Sequence, residues 1–306
     1  MQTWRRREPD GQKFHGGVVT IGNFDGLHLG HQKLLQTAAQ AGTPSVVLTF
    51  NPHPMQVLQP DRKLHRLFPR EDLQEQLPHY GVSLLWIIPF DRAFAQVTAL
   101  DFLNQLVLRV FQPKHIVAGH DFAFGRGRQG TLDVLRSWSA ENGITTDTVE
   151  PLVVNGQVVS SSRIRALVLN GEMREVESLL GRPFYLRGTV VAGAGRGAKI
   201  GVPTLNQNVF NETLPKAGVY LTRARCDGQT YFSVTNVGTN PTFSDGKGLK
   251  VETHIPDINV AWRGRVVDVD FLQRLRDEQK FASVIELTDQ IAKDIAQARS
   301  LMESRK

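Results

Sequence analysis

In the first half of the chain, short β-branched runs alternate with helical ones, and this order limits the fold more than any other feature. Residues 18–21, 45–50 (SVVLTF), 84–88 (LLWII) and 115–118 (HIVA) read as buried strands. Residues 31–41 (HQKLLQTAAQA) read as a helix closed by Gly42. A second helix is expected over 99–110, with Thr98 and Asp101 as its capping box and Phe102, Leu103, Leu106, Val107 and Val110 as its apolar stripe. Repeated β-then-α units predict a doubly wound parallel sheet of Rossmann-like type.

After Gly181 the rhythm changes. Short β-rich segments (LRGTVVAG, GVYLTRARC, YFSVTNVG, KVETHI, GRVVDVDFL) follow one another, separated by glycine, proline or asparagine. Close-spaced strands without helices predict a small antiparallel β-barrel. A terminal helix follows, with Ser283 and Glu286 as its cap and Leu287, Ile291, Ile295 and Leu301 along one side. The 306 residues therefore divide into two expected domains, 1–183 and 184–306. No apolar run approaches the ~18 residues needed to cross a bilayer. The arginine-bearing start has no apolar h-region behind it, and Cys226 is the single cysteine. These features predict a cytoplasmic protein without membrane attachment. The formal charge of +6 suits anionic small molecules.

The loops behind the strands carry the chemistry. In TIGNFDGLHLGH (residues 20–31), glycines let the backbone approach an anion, and a helix N-terminus offers free N–H groups. Gly22, Phe24, Asp25 and Gly30 are candidate phosphate-binding positions. His28 and His31, at i and i+3, present both imidazoles to one anion. A metal pair is the competing reading of H-x-x-H, but no third ligand cluster with metal spacing accompanies it. TFNPHP (49–54), AGHDFAFGRGRQG with Asp121, and SSSRIR (160–165) with Ser161, Ser162 and Arg165 supply further anion-binding chemistry at successive strand or helix ends. Four such stretches together point to a nucleotide. In the second half, Thr204 and Asn206 of GVPTLN are hard oxygen donors suited to Mg²⁺, or a Pro-Thr turn with a capping asparagine. Glu252 in VETHI lies on a strand with His254 on the same face, as a general base or as a solvated residue.

The H-x-G-H signature after the first strand resembles the nucleotidylyltransferase superfamily. The whole set, GNFDGLHLGHQ, TFNPHP, GHDFAFG and SSSRIR, then GVPTLN, AGVYLT, SVTNVGTNPTF, VETHI and RLRDEQKFAS, resembles bacterial bifunctional riboflavin kinase/FAD synthetase from Val18 to the terminal helix. That resemblance implies phosphorylation of riboflavin to FMN and adenylylation of FMN to FAD, both from ATP. It implies a catalytic role for Glu252, Mg²⁺ at Thr204 and Asn206, and ATP phosphates at Gly195, Gly197 and Lys199. It also implies riboflavin, FMN and ATP as the partners; with no lysine-rich K-M-S-K-S-like loop and no interleaved basic–aromatic stripe, no nucleic-acid partner is expected, and a monomer or weak homo-oligomer is expected. The sequence departs from the family at Ser162, where threonine is common. It departs again at NVAWRG (259–264), in place of an Asp-Leu-Tyr-Gly turn, and at Asn51, where an acidic residue is frequent.

Overall fold

The computed structural model describes residues 1–7, 12–193, 195–239, 249–256, 258 and 262–305, less the side chains of Arg196, Lys199, Thr239 and Leu249. The expected phosphate contact of the Lys199 side chain and the 259–261 part of the NVAWRG departure lie outside the described residues.

Two compact units result: residues 1–65 with 70–160, and residues 66–69 with 161–306. The division falls between Ser160 and Ser161, whereas the sequence sets its domain boundary at 183/184. In the first unit, six parallel strands run β1 (Gln2–Trp4), β2 (Val18–Ile21), β3 (Ser45–Asn51), β4 (Leu84–Pro89), β5 (His115–Gly119) and β6 (Thr145–Val149). Their spatial order is β1-β4-β3-β2-β5-β6. The four expected strands are present, and two more flank them; a short hairpin, β7 (Val153–Val154) with β8 (Gln157–Val158), follows. β1 has only three residues, and β6 (TTDTV) alternates exposed and part-buried positions as an edge strand does, so neither shows the apolar run of a central parallel strand.

The first helix, α1 (Leu29–Ala41), starts two residues earlier than its pattern because a histidine, His28, serves as N-cap. It packs Leu34, Leu35 and Ala38 against Val47, Leu85 and Val117 of the sheet. The expected 99–110 helix is capped by Thr98 as read, but its middle, Phe102–Leu108, widens into a π-helix. There Asn104 Oδ1 accepts from the Trp138 indole at 2.8 Å.

The second unit is a closed barrel of six antiparallel strands in the order β10-β13-β12-β11-β14-β9, where β9 is Phe184–Val191, β10 Thr204–Val209, β11 Gly218–Cys226, β12 Gln229–Thr239, β13 Leu249–His254 and β14 Val266–Arg276. The barrel interior carries a hydroxyl ladder as well as apolar side chains. Thr222 bonds Ser233 and Thr235 at 2.8 Å, and Thr235 bonds Thr253 at 2.9 Å, all four fully buried. Helices α2 (Ser161–Asn170) and α3 (Met173–Leu180) belong to this unit, and the terminal helix α4 (Val284–Glu303) covers Val219, Leu221 and Val234 on the outside. Ser283 caps α4 as expected, accepting from the Glu286 N–H at 3.2 Å. The short strap of residues 66–69 completes the unit: Leu67 is fully buried, and the Phe68 ring lies 4.6 Å from that of Tyr185. Asn211 ties strap to barrel by donating to the carbonyls of Leu67 and Tyr185, 3.0 Å each.

Candidate functional site

In the first unit the sheet reverses its winding at β2, whose neighbours are β3 on one side and β5 on the other. Ligands of open α/β sheets bind outside the strand C-termini at such a switch point. The loop after β2 is GNFDGLH, and the loop after β5 carries His120 and Asp121. Both candidate stretches thus stand at the place topology selects. The Asp121 side chain is 84% exposed, with its Oδ1 3.9 Å from His120 Nδ1, so it is available to a ligand.

The GNFDGLH loop is tightly wound. Gly26 has φ +89°, and Phe24 and Leu27 adopt φ +51° and +42°, a left-handed conformation that bulky residues rarely take. Such positions cost about 1–3 kcal/mol each and persist only where packing over-determines them. Here both side chains are buried in the core beside Leu34, Leu35 and Val47. Phe24 therefore anchors the loop with its ring, and only its backbone is left for a phosphate. Gly22 lies directly against that ring: a Cβ there would approach it to 3.2 Å.

His28 and His31 are stacked, with ring centroids 3.7 Å apart and planes 15° from parallel. The His31 backbone N–H donates to His28 Nδ1 at 3.3 Å, which leaves the proton of neutral His28 on Nε2. Burial, reinforced by the neighbouring His28, pushes the His31 pKa well below the ordinary imidazole value. Its Nδ1 is enclosed without a hydrogen-bond partner. His31 is thus preset as a neutral group at the N-terminus of α1, stacked on His28. A Cβ on Gly30 would lie 3.2 Å from the His28 ring and 4.0 Å from the Val159 carbonyl, so the chain leading to Ser160 passes this helix start. Among the described residues no group of three or more His, Cys, Asp or Glu is placed to hold a metal.

Two other expected stretches lie at helix starts. His53 of TFNPHP caps the helix Pro54–Leu58: its Nδ1 accepts from the Met55 N–H at 3.1 Å, and its own N–H donates to Gln56 Oε1 at 3.1 Å. Ser161, Ser162 and Arg165 lie on the first turns of α2, in the second unit. Arg163, between them, is ion-paired with Glu175.

In the barrel, strand register assembles the second group. Glu252 on β13 is directly opposite Asn206 on β10 and Asn236 on β12, and Thr204 is opposite His254. The segment at Thr204 and Asn206 is a strand, not a turn. The Asn206 side chain is buried, and its Oδ1 lacks a hydrogen-bond partner. A hard oxygen of this kind is chemically able to coordinate a cation. The glycine loop closes over it. A Cβ on Gly193 would collide with the Asn206 carboxamide, and one on Gly197 would stand 3.5 Å from Thr204 Oγ1. Gly195 has φ +68°, and nothing lies within 4 Å of where its Cβ would be, so it turns the loop beside open space. His254 Nδ1 is 2.8 Å from the Pro203 carbonyl, and the Lys250 ammonium is ion-paired with Glu252. Asn236, Lys250 and Gly193 were not identified from sequence. Period-two spacing places Lys250 beside Glu252, but only the pairing of β12 with β13 reveals Asn236.

A Rossmann-like sheet with a glycine-and-histidine loop at its switch point, and a closed barrel with a strand carboxylate opposite two asparagines, define a two-unit protein with two candidate sites of different chemistry. Residues 10–163 match the FAD synthetase family and residues 180–302 the riboflavin kinase family. The bifunctional riboflavin kinase/FMN adenylyltransferase of Bacillus subtilis (strain 168) is 35% identical over 290 residues, covering 92% of this chain and 91% of its own length. That of Escherichia coli (strain K12) is 35% identical over 289 residues, covering 93% and 92%. The crystal structure of a macrolide-efflux protein from Streptococcus pneumoniae shares the fold at TM-score 0.87 and 34% identity, covering 98% of this chain and 99% of that one. Among the described residues of the present chain no helix is long and apolar enough to cross a membrane. The chain belongs to the bifunctional riboflavin kinase/FMN adenylyltransferase family. It uses ATP to convert riboflavin to FMN and FMN to FAD.

Proposed function

We propose that the two steps are divided between the two groups of residues just described, with adenylyl transfer carried by residues 1–183 and the kinase step by 184–306. The observation that supports this is the difference in their chemistry: stacked histidines at a helix N-terminus in one, a carboxylate between two asparagines in the other.

In adenylyl transfer a phosphate oxygen of FMN attacks the α-phosphorus of ATP, the P–O bond to the β-phosphate breaks, and pyrophosphate leaves. The nucleophile is already anionic, so no base is required, and catalysis is positioning plus charge stabilisation. His28 donates from Nε2, and His31 hydrogen-bonds or takes up a proton as negative charge accumulates beside it. The backbone at Gly22, Phe24, Asp25 and Gly30 cradles phosphate. Asp121 contacts ATP or FMN, and Ser161, Ser162 and Arg165 serve as further phosphate ligands.

In the kinase step a ribityl hydroxyl of riboflavin attacks the γ-phosphorus of ATP, its proton passes to Glu252, and ADP leaves. A neutral hydroxyl is a poor nucleophile, which is why a carboxylate is needed here. Gly195, Gly197 and Lys199 are proposed to hold the ATP phosphates. Thr204 Oγ1 and Asn206 Oδ1 would hold Mg²⁺, which when bound neutralises phosphate charge. The buried, unpartnered Asn206 Oδ1 fits that role. We place the protein in the cytoplasm as a monomer or weak homo-oligomer acting on small molecules and not on nucleic acid. The single, buried free Cys226 accords with a reducing compartment.

The test is product analysis with riboflavin, ATP and Mg²⁺. Glu252→Gln is expected to lower FMN formation about 10²–10⁴-fold, the usual worth of a general base, while FMN-to-FAD conversion persists. His31→Ala is expected to lower only the second conversion, about 10²–10³-fold. Equal loss of both steps in either folded variant would overturn the division.

A further inference from the structure

From Phe50 to Arg66 no residue is buried, and then Leu67 and Phe68 both are. The exposed stretch leaves the end of β3 beside the GNFDGLH loop, where Thr49 Oγ1 donates to the Asn23 carbonyl at 3.4 Å. It carries the TFNPHP motif and the helix Pro54–Leu58, which has five residues, none of them buried. A helix that short does not persist on its own propensity. It is held by its His53 cap, by the bond from Gln56 Nε2 to the Leu64 carbonyl at 3.2 Å, and by the chain at both ends. Before it stands β3; after it the chain leaves the first unit at His65, runs through the strap 66–69 and rejoins the unit at Arg70. The strap is seated firmly on the barrel. The Arg66 N–H donates to Glu212 Oε2 at 2.8 Å, and the Arg66 carbonyl accepts from the Thr213 N–H at 2.9 Å. The Phe68 ring lies 4.6 Å from that of Tyr185 and 5.2 Å from that of Phe184, with the Arg182 guanidinium 5.0 Å from its centroid. Asn211 is buried; besides its bonds to the Leu67 and Tyr185 carbonyls, its Oδ1 accepts from the Arg187 N–H at 2.9 Å. One side chain thus ties the strap to β9.

We propose that the barrel, through Asn211 and the Leu67–Phe68 seat, positions the 51–65 stretch for adenylyl transfer, so that residues of the kinase half serve the other reaction. Ligands of open α/β sheets bind at loops such as the one after β3, and the Thr49–Asn23 bond sets this stretch beside the loop assigned to phosphate. An exposed segment fixed at one end only samples many arrangements, and fixing its second end removes most of them. The arrangement that binds substrate is then populated before substrate arrives, and less affinity is lost to ordering it. Asn211, Leu67 and Phe68 touch no substrate in this account; they are positioning residues that act through the stretch. The inference rests on the division of the two reactions proposed above, so its test includes a control for that reading.

Variants of the full chain are compared with the parent for kcat and KM of both steps, with FMN and ATP varied in turn for the second. The main variant inserts two glycines between His65 and Arg66. Every residue of the strap and the barrel is kept, and only the link is lengthened, a change that costs little stability in a surface segment. A stretch that holds its competent arrangement about a tenth to a fifth of the time shows an apparent affinity about five- to tenfold weaker. The KM of FAD formation for at least one of FMN and ATP is therefore expected to rise by that factor, with kcat within about twofold and both constants of FMN formation unchanged. Phe68→Ala, which empties the seat, is expected to act in the same direction, and Phe68→Leu, which keeps much of the apolar contact, to recover most of the loss. Unchanged constants for FAD formation in the insertion variant, or a loss confined to kcat, overturn the proposal. Equal impairment of both steps also overturns it, since that is what a merely structural strap would give. If His31→Ala retains FAD formation, the division of the reactions fails first, and the two failures are distinguished.

Discussion

The residues proposed for adenylyl transfer sit on a loop and those proposed for the kinase step on a wall of paired strands, and the contrast matches the reactions proposed for them. After β2 the backbone is forced through positive φ at Phe24 and Leu27, held there by two buried side chains, so that a helix N-terminus and two imidazoles face one place. Such a site offers N–H groups and neutral donors, suited to charge that is already present and only shifts between oxygens. In the barrel, Asn206, Glu252 and Asn236 are fixed by register on three neighbouring strands. A carboxylate that must meet one hydroxyl gains from such rigid placement, because a general base works only within hydrogen-bond reach of its proton.

If the kinase group is the rigid one, a small intrusion there should be costly. Gly193→Ala places a methyl on the Asn206 carboxamide, and Asn206 is buried with little space to retreat. The expected result is a loss of FMN formation of about 10²-fold, as for a misplacement of about 1 Å at a reacting centre. FAD formation from supplied FMN should be unchanged. Full kinase activity in this variant would show that Asn206 is not held in place for the reaction.

The histidine pair offers a sharper contrast, since it is set by burial and not by a salt link. Because the folded-state pKa of His31 is lowered, the ring is uncharged at neutral pH in the free protein. Above about pH 6.5 the group therefore adds no pH dependence to stability. As pH falls below that value the unfolded chain binds a proton that the folded one refuses, and stability drops by up to about 1.4 kcal/mol per pH unit. An anion beside the ring works in the opposite direction and raises its pKa. ATP binding near pH 7 should therefore take up a fraction of one proton more in the parent than in His31→Gln, and the excess should grow as pH is lowered. Calorimetry in buffers of different ionisation enthalpy measures it. Identical uptake by the two proteins would mean that no phosphate charge reaches His31.

Much of this was legible in the sequence where one residue type dictates one outcome. Thr98 and Ser283 cap the helices they precede, and Glu252 lies on a strand. What escaped depends on distant partners. Thr204–Val209 was open to reading as a turn because Pro203 stands before it, and only pairing with β9 and β13 makes it a strand. The attachment of α2 and α3 to the barrel comes from contacts such as that of Arg305 with Glu177, far apart in the chain. The opposition of Glu252 to Asn236 likewise needs a register that local pattern does not specify. His28 escaped as a cap because imidazole is outside the usual N-cap set.

The smallest expected effect concerns that cap. Gly30→Ala would bring a methyl to 3.2 Å from Cε1 and Nδ1 of the His28 ring, so the ring must yield by a few tenths of an ångström. The ring is confined by its bond from the His31 N–H and by the stack at 3.7 Å, so the shift passes to the pair as a whole. Because the loop accommodates strain that a strand ladder does not, we expect FMN-to-FAD conversion to fall only about threefold, well short of the loss from a full 1 Å misplacement. FMN formation should be unaffected. Steady-state kinetics of both steps on one preparation decide the matter: a Gly30→Ala loss as large as that of Gly193→Ala would show the two sites to be equally rigid.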